Sequence, residues 1–160
     1  MRNFENLEIN ALRVGELERA KISPGLDWSP HDLYLLASLM QAKELGIESL
    51  ELLSSRGSSE EVLLDYQVGE TVRVNLQAGK SDSRRAYWRI MADDQNRFEI
   101  DFDSRTITKK DGNGETAEEF VSDNPVMNML ENFRTHSSNV NWGLIFRLYS
   151  EAIQATVGNR

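Results

Sequence analysis

VLLDYQVGETVRVNL, residues 62–76, is the stretch whose reading decides the fold. Val62, Leu64, Tyr66 and Val68 alternate with polar or exposed positions, and after Gly69 so do Val72, Val74 and Leu76. A period of two belongs to a strand that buries one face. A three-residue loop of Gly69, Glu70 and Thr71 sets Val68 opposite Val72, Tyr66 opposite Val74 and Leu64 opposite Leu76. That register keeps the apolar residues together, and a slip of one residue would send half the hairpin to the wrong face.

Working outward, AYWRIMA and RFEIDFD form a second hairpin across DDQN, with Ile90 opposite Phe98, Trp88 opposite Ile100 and Ala86 opposite Phe102. Arg89 then faces Glu99 on the other side, a cross-strand ion pair. A tight turn at Ser104 and Arg105 leads to another strand, with Ile107 beside Phe102 and Lys110 near Glu99. The expected sheet is therefore antiparallel and five-stranded, over 62–68, 72–77, 86–92, 97–103 and 106–110, with one solvated face.

Helical spacing flanks it on both sides. Leu7, Ala11, Val14 and Leu17 suggest a helix over 4–20. Ser29, Pro30 and Asp32 punctuate the start of a second helix over 30–45, as cap, first position and dipole partner, and Gly46 fits its end. A further helical turn is expected over Ile47–Leu53, and SSRGSS reads as a loop. After a turn at DGNGE, helices are expected over 125–134 and 139–157. The sum is a single α+β domain, residues 1–160, with helices packed on one face of the sheet.

Composition sets the class. The chain has 160 residues, 39% hydrophobic and 28% charged, as a globular domain does. It has no cysteine, which removes disulfides, thiolate metal sites and cysteine nucleophiles and fits a reducing compartment. The N-terminal residues carry charges throughout and no run approaches a membrane span, so a cytoplasmic protein is expected. The net charge of −8 is uneven: residues 73–110 hold 9 of the 18 Lys and Arg residues against 6 acidic ones, while 1–72 and 111–160 are both acidic. Long-range repulsion of nucleic acid is expected, with a local basic patch as the exception.

Motifs of catalysis are sparse. His31 and His136 lack a metal-ligand spacing, and solvent exposure is the simpler reading of both. Asp93, Asp94, Asp101 and Asp103 suggest a hard-metal site, yet the hairpin separates the first two from Asp103 by roughly 20 Å at about 3.3 Å per strand residue. DGNGET fails the calcium-loop pattern at Thr116 and Ser122, and Gly79-Lys80-Ser81 fails the phosphate-loop pattern at Val74. There is no GxSxG, GxGxxG or SxxK sequence, so no catalytic, cofactor-binding or metal-binding residue is assigned and no cofactor is expected.

Two surfaces remain. Lys80, Arg84, Arg85, Tyr87 and Arg89 are candidates for contact with a partner or a phosphate, the first three grouped in the loop 78–85. Trp142, Phe146 and Tyr149 lie on a terminal helix that is apolar over more than one face, a candidate oligomer or partner surface. These features fit a non-enzymatic protein-binding module of the secretion-chaperone, immunity-protein or inhibitor kind, acting with a protein partner or as a homo-oligomer. Nucleic-acid binding through 73–110 is the second expectation, and a divalent-metal hydrolase using Asp101 and Asp103 the third.

Overall fold

The computed structural model describes residues 6–16, 23–24, 29–93, 95–119 and 141–157. In chain order these give strand β1 (Leu7–Gly15), helix α1 (Ser29–Ala42), a 3-10 turn (Ile47–Ser49), strands β2 (Leu50–Gly57), β3 (Glu61–Val68), β4 (Val72–Lys80), β5 (Arg85–Met91), β6 (Arg97–Asp101), β7 (Thr106–Asp111) and β8 (Gly114–Glu119), and helix α2 (Trp142–Val157). The strands form one eight-stranded sheet in the order β2-β3-β4-β1-β5-β6-β7-β8. β1 runs parallel to β4 and antiparallel to β5, and the remaining neighbours are antiparallel, so the sheet is mixed.

The expectation of a five-stranded antiparallel sheet is thus corrected on three strands and one direction. Residues 7–15, expected within a helix over 4–20, are the central strand β1. Their apolar residues also alternate, and Ile9 and Ala11 are buried beside β4 and β5. Leu50–Gly57 is an edge strand; a bulge between Leu52 and Ser54 breaks its alternation, and exposed serines disguise it as a loop. Gly114–Glu119 is the other edge strand, exposed at every position and acidic, which is how a sheet edge resists pairing with another chain.

Both hairpins have the expected registers: Val68 pairs with Val72, Leu64 with Leu76, Ile90 with Phe98 and Trp88 with Ile100. The strand after them is two residues out. Ile107 pairs with Ile100 and Lys110 with Arg97, because the connection is a four-residue turn over 102–105. Asp101 Oδ1 builds that turn by accepting the N–H groups of Asp103 and Ser104, each at 2.9 Å. The helix expected over 125–134 lies outside the described residues.

α1 and α2 pack on one face of the β2–β3–β4–β1 half and touch each other. Val62, Leu64, Tyr66, Val68, Val74, Leu76, Ile9 and Ala11 form the floor of the core, and Leu33, Leu36, Met40, Leu144, Leu148 and Ala152 its roof. α1 ends at Ala42, short of the expected 45, because Glu44 rather than Gly46 takes the left-handed position with φ 55°. Leu45 N–H bonds to Met40 O and Glu44 N–H to Gln41 O, closing the helix end. α2 sits close over β2: a Cβ on Gly57 would stand 2.5 Å from Ala155 O. Among the described residues, no helix is long and apolar enough to cross a membrane.

Candidate functional site

Asp32 is where the two layers are tied together. The fourth residue of α1, it is only 2% exposed. Arg13, inward on β1, donates Nε to Oδ2 and Nη2 to Oδ1, both at 3.0 Å. Trp88, inward on β5, donates Nε1 to Oδ1 at 2.8 Å. The guanidinium also lies 5.3 Å from the centre of the Phe102 ring, over its face. A buried carboxylate is tolerated when its lone pairs are filled, and here three N–H groups from two strands fill them. The sequence reading gave Asp32 only its place near the helix dipole, because Arg13 faces inward only if residues 7–15 form a strand. His31 precedes this anchor and is exposed; it is the one histidine among the described residues, His136 lying outside them.

A second polar group, half-buried, stands under α2. Arg147 donates Nη1 to Ile47 O at 3.1 Å, Nη2 to Leu50 O at 3.0 Å and Nε to Glu151 Oε1 at 3.0 Å. It holds the carbonyls around the 3-10 turn at the entry to β2. Tyr66 is fully buried nearby; its Oη and Glu151 Oε2 are both buried without a closed hydrogen bond. Burial, followed by the neighbouring Glu151 carboxylate, drives the Tyr66 phenol far above its ordinary value of 10.0.

The face of the sheet opposite the helices is polar and self-bonded. Asn75 Nδ2 donates to Asn10 Oδ1 at 3.1 Å, Gln77 Nε2 to Glu61 Oε1 at 2.7 Å, and Arg73 forms a fork with Asp65. That fork raises the Arg73 guanidinium above its ordinary value, through the hydrogen bond and then the charge of Asp65. Between them lies a shallow trough of about 590 Å³ with Leu12, Leu63, Tyr87 and Arg89 among its lining residues.

The candidate basic residues divide. Tyr87 and Arg89 do share this open face, with the Arg89 guanidinium 5.1 Å from the Tyr87 ring centre, but Arg89 is bonded to Glu99 at 2.6 Å. Lys80 ends β4, Arg84 pairs with Asp103 at 2.9 Å, and Arg85 opens β5 in an exposed position opposite Val14. Further carboxylates pair with Arg97 and Lys109. Two of the four basic candidates, Arg84 and Arg89, are thus paired with carboxylates of the sheet itself.

The carboxylates offered for a metal have structural duties. Asp103 accepts Ala86 N–H at 2.7 Å, Asp101 caps its turn, and Asp93 accepts the N–H groups of Gln95 and Asn96. No group of three or more potential ligands gathers among the described residues. On α2 the buried stripe is Leu144, Leu148, Ala152 and Ala155. Phe146 is 69% exposed, while Tyr149 is half-buried with its phenol raised by desolvation; Trp142 opens the helix.

No family model matches the chain, and no curated protein does. Solved structures do match in architecture. UDP-N-acetylglucosamine 3-dehydrogenase GnnA from Acidithiobacillus ferrooxidans superposes with a TM-score of 0.71 at 16% identity, over 97% of this chain and 54% of that one. The dehydrogenase MviM from Clostridium difficile gives 0.64 at 10% identity, over 93% and 54%. KijD10, a 3-ketoreductase from Actinomadura kijaniata solved with TDP-benzene and NADP, gives 0.66 at 10% identity, over 94% and 52%. The chain spans about half the length of each.

The solved structures that share this mixed sheet are dehydrogenases and ketoreductases, which overturns the expectation of a non-enzymatic protein-binding module.

A dinucleotide does not fit the residues present. Its pyrophosphate needs a glycine-rich turn between a parallel strand and a helix N-terminus. The strand–helix connection after β1 begins Gly15-Glu16 and contains just one further glycine, Gly25, alongside acidic Glu16 and Glu18. Gly112 and Gly114, with Ala117, do have the fingerprint's spacing, but they turn β7 into antiparallel β8, so that a strand stands where the fingerprint needs a helix N-terminus.

Proposed function

We propose that this chain is the substrate-side half of an oxidoreductase that interconverts a hydroxyl and a keto group on a nucleotide-linked sugar, its dinucleotide being held by other residues than these. The observation that carries the reading is the superposition on GnnA, which takes in nearly all of this chain and about half of the enzyme. Among the described residues no glycine-rich phosphate turn stands at a strand–helix junction, and the contribution proposed for this half is to the substrate.

Interconverting a carbonyl and an alcohol requires a proton to move at the oxygen, and imidazole is the side chain whose ordinary pKa lies nearest neutrality. His31 is assigned that role. It is exposed in the first turn of α1, on a helix start fixed to the sheet by the buried Asp32. A neutral imidazole would take the proton from a sugar hydroxyl as the hydride on its carbon passed to the oxidised dinucleotide, and the imidazolium would return the proton to a keto oxygen as the reduced dinucleotide gave the hydride back.

Calorimetric titration with UDP-N-acetylglucosamine and, separately, with NADPH tests the division of labour. Binding of the sugar nucleotide without binding of NADPH is expected. Tight binding of NADPH by this chain alone, or indifference to every nucleotide-linked sugar, would contradict it.

A further inference from the structure

A carboxylate that only complemented a helix dipole would face water beside the helix start. Asp32 faces the sheet, and three hydrogen bonds reach it from residues distant in sequence, Arg13 and Trp88. The arrangement is triangulated: β1 and β5 lie side by side with Ala11 opposite Trp88, and the first turn of α1 is pulled onto both. Arg13 is itself confined, 85% of its side chain being covered and its guanidinium lying over Phe102. Ser29, at the helix start, is also buried, and His31 stands exposed between these pinned positions.

Stability alone does not call for these residue types. An apolar set of the same volume would serve the core as well as a buried ion pair, often better. A two-pronged guanidinium and an indole N–H contribute direction, since each accepts one carboxylate placement and no other.

We propose that Arg13, Asp32 and Trp88 are positioning residues that fix the His31 imidazole relative to the sheet. The inference rests on the role given to His31 above, and the clamp acts on it through the backbone joining residues 31 and 32.

The test is a comparison of ring resonances in the full chain labelled at histidine, with His31→Gln providing the assignment. Arg13→Lys, Asp32→Asn and Trp88→Phe are set against Gly57→Ala, a destabilising change at the contact between β2 and α2. The clamp variants are expected to shift and broaden the His31 ring signals by more than a line width in the folded protein. Gly57→Ala is expected to lower the melting temperature and leave those signals in place.

Where Asp32→Asn does not fold, Trp88→Phe, which removes a single N–H donor while keeping an aromatic ring, carries the comparison. Wild-type His31 signals in the folded clamp variants would overturn the proposal and make the clamp purely stabilising. Shifted signals in those variants, combined with a His31 ring that added UDP-N-acetylglucosamine leaves unmoved in the wild type, would support the positioning and refute the role of His31 instead.

Discussion

Trp88 Nε1 donates to Asp32 Oδ1 at 2.8 Å, a bond between residues 56 apart that joins the centre of the sheet to the first turn of α1. With Arg13 it completes the filling of a carboxylate that is only 2% exposed. Trp88→Phe keeps an aromatic ring and removes the donor to a charged acceptor, at an expected cost of about 1.5–3 kcal/mol. Arg13→Met leaves Asp32 buried without its counter-charge and should cost about 3–5 kcal/mol. Urea denaturation of the two variants gives the ranking; equal, negligible losses would mean that water replaces the clamp.

Glu44 has the opposite character. Its φ of 55° places a side chain where glycine is favoured, at the residue that closes α1. Glu44→Gly should stabilise the protein by about 1 kcal/mol, raising the melting temperature by roughly 2–4 °C for a chain of this size. Scanning calorimetry checks it, and a fall in melting temperature would show that Glu44 contributes more than its strain removes.

Gly57 is needed for space. A methyl group there would lie 2.5 Å from Ala155 O and 2.8 Å from Ala155 C, both backbone atoms that can yield only if α2 moves off β2. Gly57→Ala should cost about 1–3 kcal/mol, the range for overpacking a close contact. Gly69, with open space around its missing Cβ, differs in kind: its φ of 61° makes Gly69→Ala a matter of backbone strain alone.

Alkali should unfold the protein partly through Tyr66. Burial raises this phenol above its ordinary 10.0, so the folded state keeps its proton at a pH where the unfolded chain has released it. Stability from this group is therefore full below about pH 10 and falls as the pH rises beyond that. Tyr149 is shifted in the same direction by burial and adds to the effect. In Tyr66→Phe the decline should be shallower, as measured by urea midpoints across the alkaline range.

What was legible in the sequence was local. Gly69–Thr71 and the alternation on either side of it determine a hairpin within fifteen residues, and Arg89 opposite Glu99 follows from the same arithmetic. β1 was hidden because Leu7, Ala11 and Val14 satisfy helical spacing too, and its partners begin at residues 72 and 85. β2 lost its period at a bulge, and β8 has no buried side to pattern. The candidate site went with β1: in a helix Arg13 would have no fixed relation to Asp32, whereas in the central strand it points at it. The other basic residues were found individually, but the pairing of Arg84 with Asp103 and of Arg97 with Glu115 depended on strand neighbours that a linear reading did not supply.

The most direct measurement is a heteronuclear NMR titration of the chain with UDP-N-acetylglucosamine, read residue by residue. The account requires perturbation of the His31 ring and of the amides in the first turn of α1, with the open-face signals of Asn10, Tyr87 and Arg89 unmoved. Perturbation confined to the open face, with α1 unchanged, would contradict it and place the sugar on the other side of the sheet.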